Sequence, residues 1–326
     1  MMSGFHPVHQ VGHTVTVHDG ETELFRYVYR PETVQRESPK PYFHPLRTRA
    51  GNLVSLTRPH DHVWHTGLAW ALPVVNEENF WGGNSYVPGR GYLQLDNNGA
   101  QRQVGDLAVA VRSGSINVQG STSAQANEVV IEHQLRWITQ AGECWFTEER
   151  TITASPLNET AWALTFDTSM RNVSGRHIVL GSPTTKGRDN AGYGGLFWRG
   201  PRSFTDGVVV APRTQGPGSA LRGQRHEWMG YIGQHDEVDA TSVVVMVDHP
   251  GNVHHPPQWF VRSEEFAALG PAPFFSEEVQ VRDGETIRFR VGVGIADAAN
   301  ADNKDAENCG VEDLAALVRT RLKVQR

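Results

Sequence analysis

Apolar residues along this chain recur in short alternating runs separated by turn-forming residues, the signature of strands with one buried face. Such runs occupy His13–Val17, Glu23–Tyr29, Leu107–Val111, Glu128–Ile138, Cys144–Ile152, Ala161–Thr168, Thr241–Val247 and Thr286–Ile295. Val17-His-Asp-Gly-Glu-Thr22 and Val281-Arg-Asp-Gly-Glu-Thr286 each set Asp-Gly between two runs, which predicts two similar hairpins. Only near the C-terminus does the spacing change convincingly to that of a helix. Val311, Leu314, Val318 and Leu322 fall on one face, with Glu312 and Asp313 at the start and Arg319, Arg321 and Lys323 toward the end. That charge order suits the helix dipole and predicts a helix over about 311–325. Pro201–Gln224 and Ala298–Glu307 read as long loops. The fold class expected is all-β: a large antiparallel β-sandwich with one C-terminal helix. No composition break divides residues 1–326, so a single domain is expected.

Composition narrows the function classes. The 33 glycines and 18 prolines suit a chain with many turns. The formal net charge is -6 and no Lys/Arg stripe forms, so nucleic acid is not an expected partner. No run approaches the roughly 20 apolar residues that span a bilayer, so neither is a membrane. Met1–Gln10 lacks a charged segment followed by an apolar one, and two cysteines, Cys144 and Cys309, make no disulfide framework. These features point to the cytoplasm and leave a homo-oligomer open.

The densest polar cluster is Arg58-Pro-His-Asp-His-Val-Trp-His65, with three histidines and an aspartate within six residues. Histidine exchanges protons near neutral pH, so His62 and His65 are candidates for a proton-transfer pair, with Asp61 or Asp248 orienting an imidazole. In an extended segment His60 and His62 would share one face and Asp61 the other. A second cluster, Asp248-His-Pro-Gly-Asn252 followed by Trp259, leaves an apolar run and adds His249 and Asn252. Along Glu143–Thr153, Glu148 and Arg150 fall on the face with Phe146 and Ile152, where only a buried ion pair or the floor of a cleft accommodates them; Glu149 falls on the other face. Glu149 is a further acid candidate. Arg199 closes the Gly-rich, aromatic loop Asp189–Arg199, suited to hold an anionic or carbonyl oxygen. Trp64, Trp81 and Trp259 offer flat faces for a ligand. The spacing His60-x-His62-x-x-His65 matches no tight metal consensus; no cofactor is expected, though the histidines leave a divalent metal open.

Taken together, Lys40–Leu46, Arg58–Leu68, Asn79–Trp81, Tyr193–Arg199 and Asp248–Asn252 with Trp259 resemble a bacterial family labelled "methane oxygenase PmoA-like". That family has a second histidine where this chain has Trp64, and an arginine at Thr66. The resemblance implies a galactose-mutarotase-like supersandwich and a setting in sugar catabolism. The resulting expectation is a carbohydrate-active lyase, hydrolase or epimerase that acts on a sugar or an oxidised sugar such as a 3-keto glycoside. Its site would comprise His62, His65, Asp61, His249 and Glu149, with Arg199, Asp248, Asn252, Trp64, Trp81 and Trp259 binding substrate. The alternatives are a metal-dependent oxygenase or hydrolase, and a sugar-binding sandwich without catalysis.

Overall fold

The alternating runs are strands of two large antiparallel sheets, described by a computed structural model over residues 4–118, 121–298 and 310–324. Most of the Ala298–Glu307 segment, Cys309 and the last two residues lie outside the described residues. One sheet has eight strands, in the order Phe5–Gln10, Thr14–Asp19, Thr22–Val28, Tyr42–Leu46, Leu68–Ala71, Gly195–Arg199, Ala268–Ala272 and Gln258–Arg262. The other has nine: Thr214–Gly216, Val208–Ala211, Trp228–Gln234, Thr241–Asp248, Thr286–Asp297, Ala161–Asn172, Cys144–Pro156, Ser121–Ile138 and Ala100–Val118. The chain is thus an all-β sandwich.

Period-two alternation sends one side of every strand into the layer between the sheets. Val15, Val17, Phe25, Leu68, Trp70 and Trp198 from the first sheet meet Ile152, Trp162, Phe166, Met246 and Val293 from the second. Phe25 stacks on Trp162 with ring centroids 5.6 Å apart, and Trp70 on Phe166 at 5.9 Å. On the far side of the nine-stranded sheet lies the C-terminal helix Val311–Val324, whose Val311, Leu314, Val318 and Leu322 are all buried. It lies close because the strand beneath carries glycines: a Cβ on Gly292 would stand 2.4 Å from Val318.

Two expectations change. Asp19-Gly20 joins paired strands, with Asp19 opposite Thr22. Asp283-Gly284 instead hands the chain from a small sheet, Val74–Val75, Ile178–Gly181 and Val279–Val281, to the nine-stranded one. Asn172 holds this crossover: its side chain donates to the Val281 carbonyl at 2.8 Å and its backbone pairs with Gly284 and Glu285. The supposed loop Pro201–Gln224 contains two short strands and the one-turn helix Gly218–Leu221.

Glu148 and Arg150 do face inward, fully buried, and form an ion pair at 2.7 Å. Glu148 also accepts from Trp137 Nε1 and Thr168 Oγ1, both at 2.7 Å. Arg150 donates to Gln101 at 3.0 Å and to Tyr27 Oη at 3.1 Å, and that hydroxyl meets His133 Nε2 at 2.9 Å. The pair is part of the core, not the floor of a cleft. Among the described residues no helix is long and apolar enough to cross a membrane.

Candidate functional site

Over the strands Leu68–Ala71, Gly195–Arg199, Ala268–Ala272 and Gln258–Arg262, the outer face of the eight-stranded sheet is covered. Ala71, Phe197, Phe260, Ala268 and Ala272 project from it and pack with Trp81 and Phe275, against which Trp64, Tyr193 and Phe266 rest. The loop Arg58–His65 is laid over this surface. It is anchored by a bridge between Thr57 and Thr66 and by Arg58 N donating to the His65 carbonyl at 2.8 Å. Two internal turns, His62 N to Pro59 O at 3.0 Å and His65 N to His62 O at 2.9 Å, coil the segment. It is therefore not extended, and Asp61 and His62 meet instead of pointing apart. The Trp64 indole lies on Gly83 and its Cβ against Gly82, both glycines having positive φ, and a Cβ on either would come within 2.6 Å of the Trp64 side chain. Buried Lys40 ties the neighbouring loop down by donating to the carbonyls of Glu37, Ser38 and Trp81 at 2.8 to 3.1 Å.

Asp61 is the centre of the polar arrangement. Its Oδ2 accepts from His62 Nδ1 at 2.8 Å and from Arg199 Nη2 at 3.2 Å, and its Oδ1 from Arg202 Nη2 at 2.8 Å. Partial burial would raise its pKa, but the bonds from His62 and Arg202 and the charge of Arg199 outweigh this. They hold the carboxyl well below the usual carboxylate range. A carboxylate only accepts, so the His62 hydrogen sits on Nδ1 and its Nε2 is the ring's proton-accepting nitrogen.

His65 is arranged in the opposite sense. It is buried and stacks on His62, with centroids 4.7 Å apart and rings 12° from parallel. Arg199 Nη1 lies 3.3 Å from its Nδ1; a guanidinium only donates, so Nδ1 accepts and Nε2 carries the hydrogen. Burial, then the charges of His62, Arg199 and Lys40, push the His65 pKa well below its ordinary value against the opposing pull of Asp61. Arg199 itself is fully buried, its guanidinium carbon 3.6 Å from the Phe266 ring centroid. Its role is to brace Asp61 and His65.

Two histidines elsewhere share this suppression. Burial and the charge of Arg150 bring His133 down to about 3, and burial with Arg47 and Arg26 brings His44 down to about 4. All three folded-state values lie below that of an unfolded histidine, near 6.5. The unfolded chain therefore binds protons first as pH falls. Their stability contribution is fully present above about pH 6.5 and is lost as pH falls toward about 4 and 3. Thermal melts should show the midpoint dropping over this range, and His133→Gln should flatten the drop. An unchanged slope in that variant would remove His133 from the account.

Asp61, His62, Trp64, His65 and Trp81 line one cleft of about 650 Å³. Its other lining includes Arg188, Tyr92, Tyr193, Arg202, Phe260, Arg262, Glu265 and Phe266. Tyr193 meets Tyr92 hydroxyl to hydroxyl at 3.1 Å and packs on Trp81 at 4.7 Å. Arg262 pairs with Glu265 at 2.7 Å.

The second histidine cluster is not brought to this cleft. Asp248 and His249 line a separate pocket of about 200 Å³ beside Arg319 and Leu322 of the C-terminal helix. There Asp248 accepts from His255 at 2.8 Å and from Asn252 at 2.6 Å, a bonding pattern that closes the turn. Glu149 is exposed on the nine-stranded sheet, opposite Gln134 and Ser169. Trp259 is fully buried between the sheets and donates to the His226 carbonyl at 2.8 Å; its neighbour Phe260 is the residue that faces the cleft. Arg188, Tyr92, Arg202 and Arg262 are additions that only folding reveals. His60, His62 and His65 each bond a different partner, and among the described residues no group of three or more His, Cys, Asp or Glu side chains is placed to hold a metal ion.

The model of a family described as a "Family of unknown function (DUF6807)" matches residues 14–309. No curated protein matches the sequence. Among solved structures, a beta-arabinopyranosidase is similar with a TM-score of 0.39 and 9% identity, over 83% of this chain and 38% of that one. A human-microbiome protein assigned as a kojibiose phosphorylase follows with a TM-score of 0.31 and 8% identity, over 67% and 24%. The chain therefore spans well under half the length of either.

Proposed function

The chain belongs to this family of unknown function (DUF6807), and we propose that it is a carbohydrate-active enzyme working by general acid–base catalysis in the cleft beside Asp61, His62 and His65. The observation that carries this reading is the contrast between two stacked imidazoles. Asp61 accepts a hydrogen bond from His62 Nδ1, and Arg199 donates to Nδ1 of His65, so one ring is set to accept a proton at Nε2 and the other to donate a hydrogen bond. Neighbouring titratable groups driven to opposite roles are what an acid–base site requires. His62 Nε2 takes a proton from a carbon or hydroxyl of the bound sugar. His65 Nε2–H steadies the oxygen on which negative charge grows; its suppressed basicity keeps the ring neutral, and the Arg199 bond to Nδ1 leaves the hydrogen on Nε2. Trp64, Trp81, Tyr193 and Phe266 give the cleft the mixed aromatic and polar lining that a sugar's two kinds of surface favour. The PmoA-like resemblance points the same way.

Proton abstraction beside a carbonyl is the step best suited to this pair, which favours lyase or epimerase action on an oxidised sugar such as a 3-keto glycoside. Incubation of a panel of sugars and 3-keto glycosides in heavy water, followed by NMR, tests it. Deuterium should enter next to the ketone, with or without onward reaction. A ligand that binds yet neither exchanges nor reacts would make the protein a sugar binder instead.

A further inference from the structure

Building on that reading of the cleft, we propose that the sugar it takes carries an anionic group, a carboxylate or a phosphate, and that Arg188 receives it. The whole protein has a formal net charge of -6, yet Arg188, Arg202 and Arg262 line this cleft against only two acids, Asp61 and Glu265. Those acids are already engaged. Arg202 and the buried Arg199 share Asp61, and Arg262 pairs with Glu265. Among the described residues no carboxylate pairs with Arg188. Its Nη1 instead donates to the hydroxyl of Tyr92, and its guanidinium carbon lies 4.5 Å from that ring's centroid.

This arrangement fixes a guanidinium without neutralising it. Tyr92 accepts one hydrogen bond and is held in turn by Tyr193, so the cation sits on an ordered aromatic support. A guanidinium carries five N–H donors, and the remainder of the fork matches the planar spacing of a carboxylate or two phosphate oxygens. Inside a cleft walled by aromatic rings, the attraction between unlike charges is stronger than in bulk water. Arg188 and the Asp61–His62 pair line the same cleft, so one ligand can present its anionic group to the first and its reacting atoms to the second.

Isothermal titration calorimetry tests this with methyl hexosides, the corresponding hexuronides, hexose 6-phosphates in gluco, galacto and manno forms, and benzoate as a carboxylate that is not a sugar. Hexuronides or hexose phosphates should bind about tenfold to a hundredfold tighter than neutral hexosides, as expected for hydrogen bonds to a charged group. Preference between the two classes identifies the anion. Arg188→Met should collapse the preference, and Arg188→Lys, which keeps charge but not the fork, should restore only part of it. Neutral hexosides binding as tightly as the anionic ones would overturn the anion and leave the sugar reading standing. Benzoate bound through Arg188 while no sugar binds would do the reverse, and silence from every probe would overturn both.

Discussion

Glu148→Ala is expected to cost about 3–5 kcal/mol of folding stability, because it strands a buried arginine. Arg150 would keep its hydrogen bonds to Gln101 and Tyr27, but those partners are neutral. Trp137 Nε1 and Thr168 Oγ1 would lose their shared acceptor in the same stroke. Chemical denaturation followed by fluorescence measures the effect. Glu149→Ala, one residue away but exposed, should stay within about 0.5 kcal/mol of the parent. The double replacement Glu148→Leu with Arg150→Met removes the stranded charge and should recover that part of the loss, while Trp137 Nε1 and Thr168 Oγ1 stay without their acceptor, so recovery should be incomplete. A Glu148→Ala protein with unaltered stability would show that the network is not fully buried in solution.

The contrast between Glu148 and Glu149 also marks how far the sequence is legible. Period-two alternation assigns a side chain to one of two faces, and Glu148 with Arg150 followed that rule to the core. It does not say what covers the opposite face. At this end of the eight-stranded sheet both faces are covered, so an aromatic residue there can belong to either side: Trp259, the candidate in the sequence, belongs to the core, and its neighbour Phe260 to the cleft. The Asp-Gly turns show a similar limit: the local chemistry of Asp19-Gly20 and Asp283-Gly284 is the same, and it takes distant partners, Asn172 and Gly175 among them, to hold the second turn between sheets.

Proximity in sequence made the Arg58–His65 loop readable as a site, because Asp61, His62 and His65 are joined by short turns. Arg199 was recognisable as a polar end to a Gly-rich, aromatic segment, although it braces other side chains from a buried position instead of facing a ligand. His249 lies away from that cleft for the converse reason. Its motif has the right residue types, but Asp248 is consumed by Asn252 and His255 next to the C-terminal helix. Arg188, Tyr92 and Arg262 come from three distant segments, and no local pattern distinguishes them before the strands bring them together.

His62→Ala is expected to lower turnover about a hundredfold to ten-thousandfold, the range for loss of a general base, while leaving the melting temperature nearly unchanged. Its side chain is 37% exposed, so truncation removes little core area. His65→Ala should reduce activity as well, but with a stability cost, because that ring is buried against Trp81 and Phe197 and supplies an acceptor to Arg199. Activity alone would not separate the two. Added imidazole does: it can enter the space vacated at His62, beside the Asp61 carboxylate that held the missing ring, and accept the proton in its place. Turnover by His62→Ala should therefore rise with imidazole concentration. In His62→Ala combined with Asp61→Asn the rescue should be weaker, because the amide no longer offers a charged acceptor to orient the free ring. Full activity in His62→Ala would move proton transfer to another group, and loss of activity without rescue at any imidazole concentration would leave His62 a positioning residue.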